Sequence, residues 1–230
     1  MEESIKILKK DKQLAKLIQK YEKPTMDWGG RGGKSIFQAL VRAIVYQQLS
    51  GKAAATIFAR FIALFNKPNT PEGKMKFPKP EDVLKMPFEK LRSAGLSGPK
   101  AIYIQDLAQK FTDGTIKHKT LHTMTTEEVT AHLTQVKGVG VWTVHMLQIF
   151  TLGRLDVLPV GDLAIQKGFM HVYKLKKLPN AKEMELLAKP WRGHASVASW
   201  YLWRVMDEGF KDKDKAKKVV LVKKKKPRSR

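Results

Sequence analysis

Apolar residues recur at helical spacing along most of this chain, and this periodicity constrains the fold more than any other feature of the sequence. In "GHASVASWYLWRVMDEG", for example, Ala198, Tyr201, Leu202 and Val205 have the i, i+3, i+4, i+7 spacing that places them in one stripe on a helix. No segment shows the sustained alternation of apolar and polar residues, flanked by turn signals, that is typical of a β-strand. The sequence therefore predicts an all-α fold of about ten helices joined by short loops.

Capping signals mark where several of these helices begin. Ser35 and Ser50 are suitable N-caps for two helices within residues 36–65, which are separated by "QQLSG". Thr125 and Glu128 have the spacing of a capping box at the start of another helix. The full set of predicted helices is 4–22, two within 36–65, 81–86, 88–94, one that begins near Pro99, 125–135, 141–152, one that begins at or just after Asp162, and one within 193–209.

Charge is the strongest global signal of function. The chain has 44 Lys and Arg against 21 Asp and Glu, a net charge of +23. The last twenty residues, "KDKDKAKKVVLVKKKKPRSR", hold 11 Lys and Arg and 2 Asp, so that the other 210 residues still carry +14. A folded part this basic favours a polyanionic partner, and nucleic acid is the commonest one. A basic protein without such a partner, or one that touches anionic membranes, is the less favoured alternative.

The composition also excludes several kinds of protein and site. At 230 residues and 43% hydrophobic residues, the chain is not disordered by composition. The absence of cysteine excludes disulfides, zinc–cysteine sites and iron–sulfur clusters, and it is typical of a reducing compartment. No apolar run is long enough to span a membrane, and the charged N-terminus lacks the features of a signal peptide. We therefore expect no role for a membrane.

The stretch "QVKGVGVWTVHMLQIF" breaks one predicted helix with Gly138-Val139-Gly140 and starts the next helix at once. Glycine permits positive φ and the close approach of another backbone. The new helix offers unpaired N–H groups and the positive end of its dipole, which together form an anion site, and Lys137 adds a charge. The stretch is therefore a candidate phosphate site. An ordinary helix C-cap at Gly138 is the alternative, and Gly-x-Gly alone does not decide between them.

The segment "VKGVGVWTVHML" resembles the hairpin of the helix-hairpin-helix DNA glycosylases, whose pattern is approximately L-x-G-[IV]-G-x-x-[ST]-[AV]. In that superfamily a Gly/Pro-rich loop and an aspartate follow the hairpin, and "LPVGDLAI" stands at the expected distance. Three further segments resemble the alkylpurine branch, the 3-methyladenine DNA glycosylase II type: "ALVRAIVYQQLSGKAA", "AGLSGPKAIYIQDLA" and "KPWRGHASVASWYLW". Four separated blocks in the same order, within residues 35–208, are far more specific than the hairpin alone.

The resemblance implies two helical lobes with the active site in the cleft between them. We expect residues 1–35 and 161–210 to form a lobe of terminal helices, and residues 36–160 to form a lobe that contains the helix-hairpin-helix motif. Residues 211–230 are mostly like-charged and are predicted to form a flexible basic tail.

By resemblance, Asp162 is the catalytic residue. Cleavage of an N-glycosidic bond leaves positive charge on the sugar, and a nearby carboxylate stabilises that cation and can orient or deprotonate the attacking water. Its neighbours Leu158, Pro159, Val160 and Leu163 give it an apolar setting, where a charge has a larger effect. Asp162 is also a natural N-cap for the next helix, and the two roles are compatible. Asp156, the competing carboxylate, is expected at the surface.

Aromatic residues are the candidates for the pocket of the flipped base. Trp142 stands where lyase-competent members of the superfamily have the lysine that forms a Schiff base, which implies a monofunctional hydrolase. Trp142 and Trp200, with Tyr46 approaching them, are expected to line the pocket, because aromatic faces suit a cationic alkylated purine. A place in the core is the alternative for Trp142 and Trp200, and it is the favoured interpretation for Trp191 and Trp203.

The "QQLSG" break is expected to touch the opened base stack. By position in the resemblance, Gln48 fills the gap left by the flipped base and Leu49 is an apolar neighbour that could wedge between base pairs. The alternative is a polar turn between two helices. Ser50 stands where some members of the superfamily present a larger minor-groove side chain, which puts the strength of lesion probing in doubt.

The resemblance also implies a monovalent cation at the hairpin, Na⁺ or K⁺, bound by backbone carbonyls. The matching positions are Thr134, Val136 and Val139. This expectation rests on the resemblance alone, since carbonyl ligation cannot be read from side chains. No cofactor is expected to be required.

Together these features predict a monomeric DNA glycosylase that removes alkylated purines, such as 3-methyladenine and 7-methylguanine, from double-stranded DNA. A non-catalytic DNA-binding protein of the same fold and a glycosylase for oxidised bases are the alternatives. The basic "KKKKPRSR" at the C-terminus predicts a nuclear location in a eukaryotic cell and a cytoplasmic or nucleoid location in a bacterium.

Overall fold

The computed structural model describes residues 1–24 and 35–208 of the chain. These described residues form twelve α-helices and no β-strand, which confirms the predicted all-α class. The predicted basic tail, residues 211–230, lies outside the described residues.

The chain divides into two compact units. The first, called the central unit, is residues 27–154, and the second, called the terminal unit, is residues 1–26 together with 155–230. The sequence predicted that the central unit would end at residue 160, but it ends six residues earlier, at residue 154. The backbone N–H of Ser196 donates to the carbonyl of Leu155 at 2.9 Å, and the N–H of Val157 donates to Oγ of Ser196 at 3.0 Å. These bonds attach the segment that starts at residue 155 to the terminal unit.

The central unit holds seven helices in chain order. They are α3 (Ile36–Tyr46), α4 (Gly51–Ala63), α5 (Pro80–Lys85), α6 (Phe88–Ser93), α7 (Gly98–Thr112), α8 (Thr126–Leu133) and α9 (Val141–Phe150). The predicted caps are present. Oγ of Ser35 accepts the N–H of Gln38, Oγ of Ser50 accepts the N–H of Ala53, and Thr125 forms a capping box with Glu128.

Helix α7 lies at the centre of this unit and packs against α3, α5 and α6. Its buried face carries Ala101, Ile104, Leu107, Ala108 and Phe111. These side chains belong to one continuous apolar core, to which each of the other six helices of the central unit contributes. The side chains of Lys100, Tyr103 and Asp106 repeat at three-residue intervals on another face of the same helix. Because the core fixes α7, those three side chains stand on a rigid support.

The terminal unit holds the other five helices. They are α1 (Glu2–Leu8), α2 (Lys12–Lys20), α10 (Leu163–Val172), α11 (Ala181–Leu187) and α12 (195–208). Trp191 is fully buried, stacks on Phe169 with ring centroids 5.0 Å apart, and donates its indole N–H to Oδ2 of Asp11 at 3.1 Å. A Cβ on Gly168 would lie 3.0 Å from the side chain of Leu202, so glycine permits the close contact between α10 and α12.

Two features of the terminal unit differ from the predicted helices. The single helix expected over residues 4–22 is two helices, because Asp11 caps a new start by accepting the N–H groups of Gln13 and Leu14 at 2.8 and 3.2 Å. Helix α11 was not predicted, although Asn180 and Glu183 form a capping box at its start. Both starts carry local N-cap signals of the kind that located the other helices.

Candidate active site

The central unit contains the predicted hairpin. Helix α8 ends at Leu133, α9 begins at Val141, and a tight turn joins them, in which the N–H of Val139 donates to the carbonyl of Val136 at 3.1 Å. Gly138 has a φ of +77°, and a Cβ there would lie only 2.2 Å from the ring of Tyr103. Gly138 is therefore required by the turn and by the close approach of α7.

Gly140, the N-cap of α9, is glycine for a different reason. A Cβ at Gly140 would meet no protein atom within 4 Å, and no side chain caps this helix. Val141, which follows it, is 51% exposed. The N-terminus of α9 therefore presents its backbone N–H groups at an open surface, where an anion can approach them closely.

Asp106 of α7 stabilises the turn of the hairpin. The backbone N–H of Lys137 donates to Oδ2 of Asp106 at 2.9 Å, and Nζ of Lys110 donates to Oδ1 at 2.6 Å. Burial alone would raise the pKa of Asp106, but the hydrogen bonds from Lys110 and Lys137 outweigh it and lower the pKa below its usual value. The carboxylate is therefore ionised, and Lys137 stands exposed beside the N-terminus of α9.

Residues 47–50, called the 47–50 turn, connect α3 to α4 beside the hairpin. The backbone of Gln48 has a φ of +56°, in the left-handed region that residues other than glycine rarely adopt. Its side chain is exposed. Leu49 is 39% exposed. The side chain of Gln47 donates to the carbonyl of Gly138 at 2.8 Å, so the structure brings this turn and the hairpin together.

The two aromatic candidates of the central unit differ in exposure. Trp142, the second residue of α9, is 48% exposed, so it does not lie in the core, which was the alternative to a place in the pocket. Tyr46 ends α3 and is half-buried, with the guanidinium of Arg42 4.0 Å from its ring centroid and the edge of Phe58 against it. About half of the Trp142 surface is therefore accessible to solvent.

The terminal unit carries Asp162, which is half-buried and is the N-cap of α10. Its Oδ1 accepts the backbone N–H of Ile165 at 2.9 Å and the indole N–H of Trp203 at 3.3 Å. Among its apolar neighbours Pro159 is buried and Leu158 and Val160 are half-buried, whereas Leu163 is exposed. The cap and the indole together fix the orientation of the carboxylate.

Trp203 was expected in the core and is instead the site residue that sequence reasoning missed. It is half-buried, and its N–H reaches Asp162 across 41 positions of sequence. Trp191 was correctly placed in the core. Trp200 is 7% exposed, lies edge-on to Tyr201, and has the guanidinium of Arg204 5.2 Å from its ring centroid.

Asp156, the competing carboxylate, is exposed as expected. Its Oδ1 accepts the backbone N–H of Ala195 at 3.2 Å, at the start of α12. This contact gives Asp156 a structural role in capping α12.

The candidate cation ligands Thr134, Val136 and Val139 lie in the turn that follows α8. Carbonyls after a helix end lack intrahelical partners, and the Val136 carbonyl, which accepts one N–H, has a second lone pair. Neutral carbonyl oxygens suit a monovalent cation, so these residues fit the expected group. Among the described residues no cluster of His, Cys, Asp or Glu could hold a metal ion.

The predicted site residues are distributed over both units. The central unit carries Tyr46, the 47–50 turn, the hairpin residues 134–140 and Trp142, and the terminal unit carries Asp162 and Trp200. In the described part of the chain, no helix has the length and apolar character needed to cross a membrane.

The chain is similar in sequence to proteins of a known family. Residues 41–193 match the model of the HhH-GPD superfamily base excision DNA repair proteins. The chain is 37% identical to DNA-3-methyladenine glycosylase 1 of Schizosaccharomyces pombe over 198 residues, which cover 84% of this chain and 80% of that protein.

Solved structures agree with this match. The 3-methyladenine DNA glycosylase Mag1 of S. pombe, in complex with abasic DNA, superposes with a TM-score of 0.69 at 32% identity, covering 89% of this chain and 96% of the other. A DNA-3-methyladenine glycosidase of Bacillus halodurans gives 0.72 at 34% identity, covering 86% of each chain. The hairpin, the capped aspartate and these similarities agree, and the chain belongs to the HhH-GPD superfamily of base excision DNA repair proteins.

Proposed function

We propose that this protein is a monofunctional DNA glycosylase that hydrolyses the N-glycosidic bond of alkylated purines in duplex DNA, as a step of base excision repair. The observation that carries the proposal is Asp162, a half-buried carboxylate held at the start of α10 by the N–H groups of Ile165 and Trp203. The names of similar proteins, DNA-3-methyladenine glycosylases, support 3-methyladenine as a substrate. We include 7-methylguanine in the proposal because it is also a purine that carries a positive charge after alkylation.

Asp162 acts on the sugar. As the bond to the base breaks, positive charge develops on the sugar, and a carboxylate already oriented there stabilises the transition state without having to reorganise. The same carboxylate orients the attacking water and accepts its proton. An alkylated purine is a cation and leaves readily, so no strong general acid is needed.

Trp142 binds the flipped base. Its exposed ring stacks on the cationic purine, an attraction of about 0.5–2 kcal/mol. Because this position holds no lysine, the enzyme forms no Schiff base and leaves an intact abasic site. Tyr46, half-buried at the end of α3 in the same unit, contributes further aromatic surface.

The hairpin and the 47–50 turn bind the DNA. The N–H groups at the N-terminus of α9 and the side chain of Lys137 hold a phosphate, and the open space at Gly140 lets the DNA backbone approach. Gln48 and Leu49, both exposed, occupy the gap that the flipped base leaves. Ser50, which caps α4, offers only a short side chain to the minor groove.

A monovalent cation at the carbonyls of Thr134, Val136 and Val139 would add positive charge beside the bound phosphate. The protein acts as a monomer on double-stranded DNA, and its basic C-terminal sequence directs it to the nucleus in a eukaryotic cell.

The test is Asp162→Asn with Asp156→Asn as its control. Asparagine is as good an N-cap as aspartate and can still accept the N–H of Ile165, so the fold is retained while the charge is lost. We expect release of 7-methylguanine from duplex DNA to fall by on the order of 10²-fold or more, with DNA affinity unchanged or improved. Asp156→Asn should excise at the wild-type rate.

Wild-type excision by Asp162→Asn would show that the catalytic assignment is wrong. The wild-type protein should also be assayed on duplexes with 7-methylguanine and with 8-oxoguanine, scoring free base and alkali-sensitive sites. Release of 8-oxoguanine alone would identify an oxidised-base glycosylase, and release of neither base would identify a non-catalytic DNA-binding protein.

A further inference from the structure

Lys100 occupies a position that helix electrostatics do not favour. It is the third residue of α7, where the positive end of the helix dipole disfavours a cation. Its Nζ donates to the carbonyl of Val45 at 2.8 Å and to the carbonyl of Gln47 at 2.7 Å. The presence of lysine here is therefore explained by the contact with these carbonyls and not by the helix that carries it.

Both carbonyls belong to the end of α3 and the start of the 47–50 turn. The last carbonyls of a helix lack intrahelical partners, and a cation near them also interacts favourably with the negative end of the dipole. Two backbone bonds at this end are long, with the N–H of Gln47 3.4 Å from the carbonyl of Ile44 and the N–H of Leu49 3.4 Å from that of Tyr46. Lys100 donates at shorter distances than either of these backbone groups.

The conformation that follows needs such support. Gln48 has a φ of +56°, which a non-glycine residue adopts only when its surroundings hold it there. Lys100 fixes the carbonyls of Val45 and Gln47, both of which lie within three residues before Gln48. The ammonium group therefore fixes the direction in which Gln48 and Leu49 leave the protein surface.

The same face of α7 supports the hairpin. One turn after Lys100, the ring of Tyr103 lies against Gly138, and one turn later Asp106 accepts the N–H of Lys137. The side chain of Gln47 closes the arrangement by donating to the carbonyl of Gly138. Helix α7 therefore holds the 47–50 turn and the phosphate-binding hairpin in one fixed relation.

We propose that Lys100 is a positioning residue for base flipping: it holds the 47–50 turn so that Gln48 and Leu49 enter the base stack in register with the phosphate bound at the hairpin. This inference rests on the proposed glycosylase function. Lys100 itself need not touch the DNA. Its effect is greatest where the stack must be opened, and smallest where the target base is already unpaired.

The test compares Lys100→Met with Lys90→Met. Both variants remove one positive charge and keep most of the side-chain volume, and Lys90 is an exposed residue of α6. Single-turnover excision of 7-methylguanine is measured from a duplex with the lesion paired to cytosine and from one with the lesion in a single-base bulge. Extrusion costs least for a base that is already unpaired.

We expect Lys100→Met to slow excision from the paired duplex about 10-fold and from the bulge no more than about 3-fold. Lys90→Met should match the wild type on both, and Lys100→Arg, which keeps a charged donor, should recover most of the paired-substrate rate. Equal losses of Lys100→Met on both duplexes, or no loss on the paired one, would overturn the inference.

A second measurement separates this inference from the proposed function. Protein at saturating concentration is added to a duplex with 2-aminopurine beside the lesion, and the rise in fluorescence reports local unstacking whether or not the base is cleaved. Lys100→Met should give a smaller rise than Lys90→Met. An equal rise would contradict the role of Lys100, whereas unstacking without excision by the wild-type protein would contradict only the proposed function.

If Lys100→Met does not fold, Lys100→Gln takes its place. The glutamine amide can donate to one of the two carbonyls. The Lys100→Gln variant should therefore also lose excision rate selectively on the paired duplex, but by a smaller factor than Lys100→Met. A uniform loss by Lys100→Gln on both duplexes would count against the inference in the same way.

Discussion

Oδ1 of Asp162 accepts two hydrogen bonds of different origin. The N–H of Ile165 comes with the helix that Asp162 caps, and the indole of Trp203 comes from α12. A carboxylate held by two donors loses little freedom when it meets the developing charge on the sugar, since its orientation is already set. At the scale of single residues, the orientation of the proposed catalytic carboxylate therefore depends on Trp203, which is 41 positions away in sequence.

Trp203→Phe should slow base release roughly 5-fold, in line with the net value of about 1 kcal/mol for one hydrogen bond. DNA affinity should not change. Trp191→Phe is the matched control, because it removes an indole hydrogen bond to Asp11 in the same unit. That variant should melt at a lower temperature and keep its excision rate once folded. A Trp203→Phe enzyme with the wild-type rate would mean that the cap alone orients Asp162.

Trp142→Ala should separate base binding from DNA binding. The side chain is 48% exposed, so its truncation should change the melting temperature little, while excision of 7-methylguanine should fall by more than the affinity for an abasic site. The loss of a cation–π contact corresponds to about 2- to 30-fold. Trp142→Phe, which keeps an aromatic face, should retain part of the rate. Equal losses on both ligands with a lower melting temperature would mark Trp142 as structural.

At the scale of elements, the hairpin shows two glycines with separate purposes. Gly138 is required by the backbone and by packing, since its φ is positive and the ring of Tyr103 leaves no room for a side chain. Gly140 is not required by packing, because a Cβ there would meet open space, although glycine is a better N-cap than alanine. The second glycine leaves the N-terminus of α9 open, where the proposed function places a phosphate.

Gly138→Ala and Gly140→Ala should fail in different ways. Gly138→Ala should lower stability by about 1–3 kcal/mol, because a strained backbone and a displaced Tyr103 both add cost. Gly140→Ala should lose only about 0.5–1 kcal/mol at the N-cap, yet its affinity for undamaged duplex should drop several-fold. Thermal melts and binding titrations at one salt concentration measure both. Wild-type affinity of Gly140→Ala would show that no phosphate approaches this residue.

At the scale of the whole molecule, charge sets the general affinity for DNA. The net charge is +23, of which +14 resides outside the last twenty residues. Lysine and arginine contacts to phosphates release counterions, so the logarithm of the binding constant falls linearly with the logarithm of the salt concentration. This attraction positions the protein on DNA without selecting a sequence.

Deletion of residues 211–230 should reduce the slope of that salt dependence without abolishing it. Each phosphate contact contributes about 0.9 to the slope on B-DNA, so the difference between the two proteins counts the contacts made by the deleted segment. Binding to an undamaged duplex is titrated across a series of salt concentrations. Salt-independent binding by the shortened protein would show that the folded part makes no phosphate contacts.

Signals that lie within a few residues of one another were sufficient for most of the fold. Helical periodicity gave the all-α class, and short-range caps at Ser35, Ser50, Thr125 and Asp162 correctly located helix starts. The break at Asp11 and helix α11 could have been found in the same way from their caps. Such features are local because an N-cap bonds to backbone two or three residues away.

The candidate site was predictable only in part. Asp162, Trp142 and the two glycines of the hairpin were proposed as site residues from motifs that resemble a known family, and such motifs consist of neighbours in sequence. Trp203 was missed because its partner, Asp162, is 41 residues away, and the significance of Lys100 was missed because the carbonyls it binds are more than 50 residues away. Hydrogen bonds of that range depend on how the helices pack, and the buried faces that determine packing do not indicate which polar groups meet at their edges. Local sequence signals were therefore enough to locate most helices and to propose the site residues, whereas the packing of the helices was needed to show which side chains hold those residues in place.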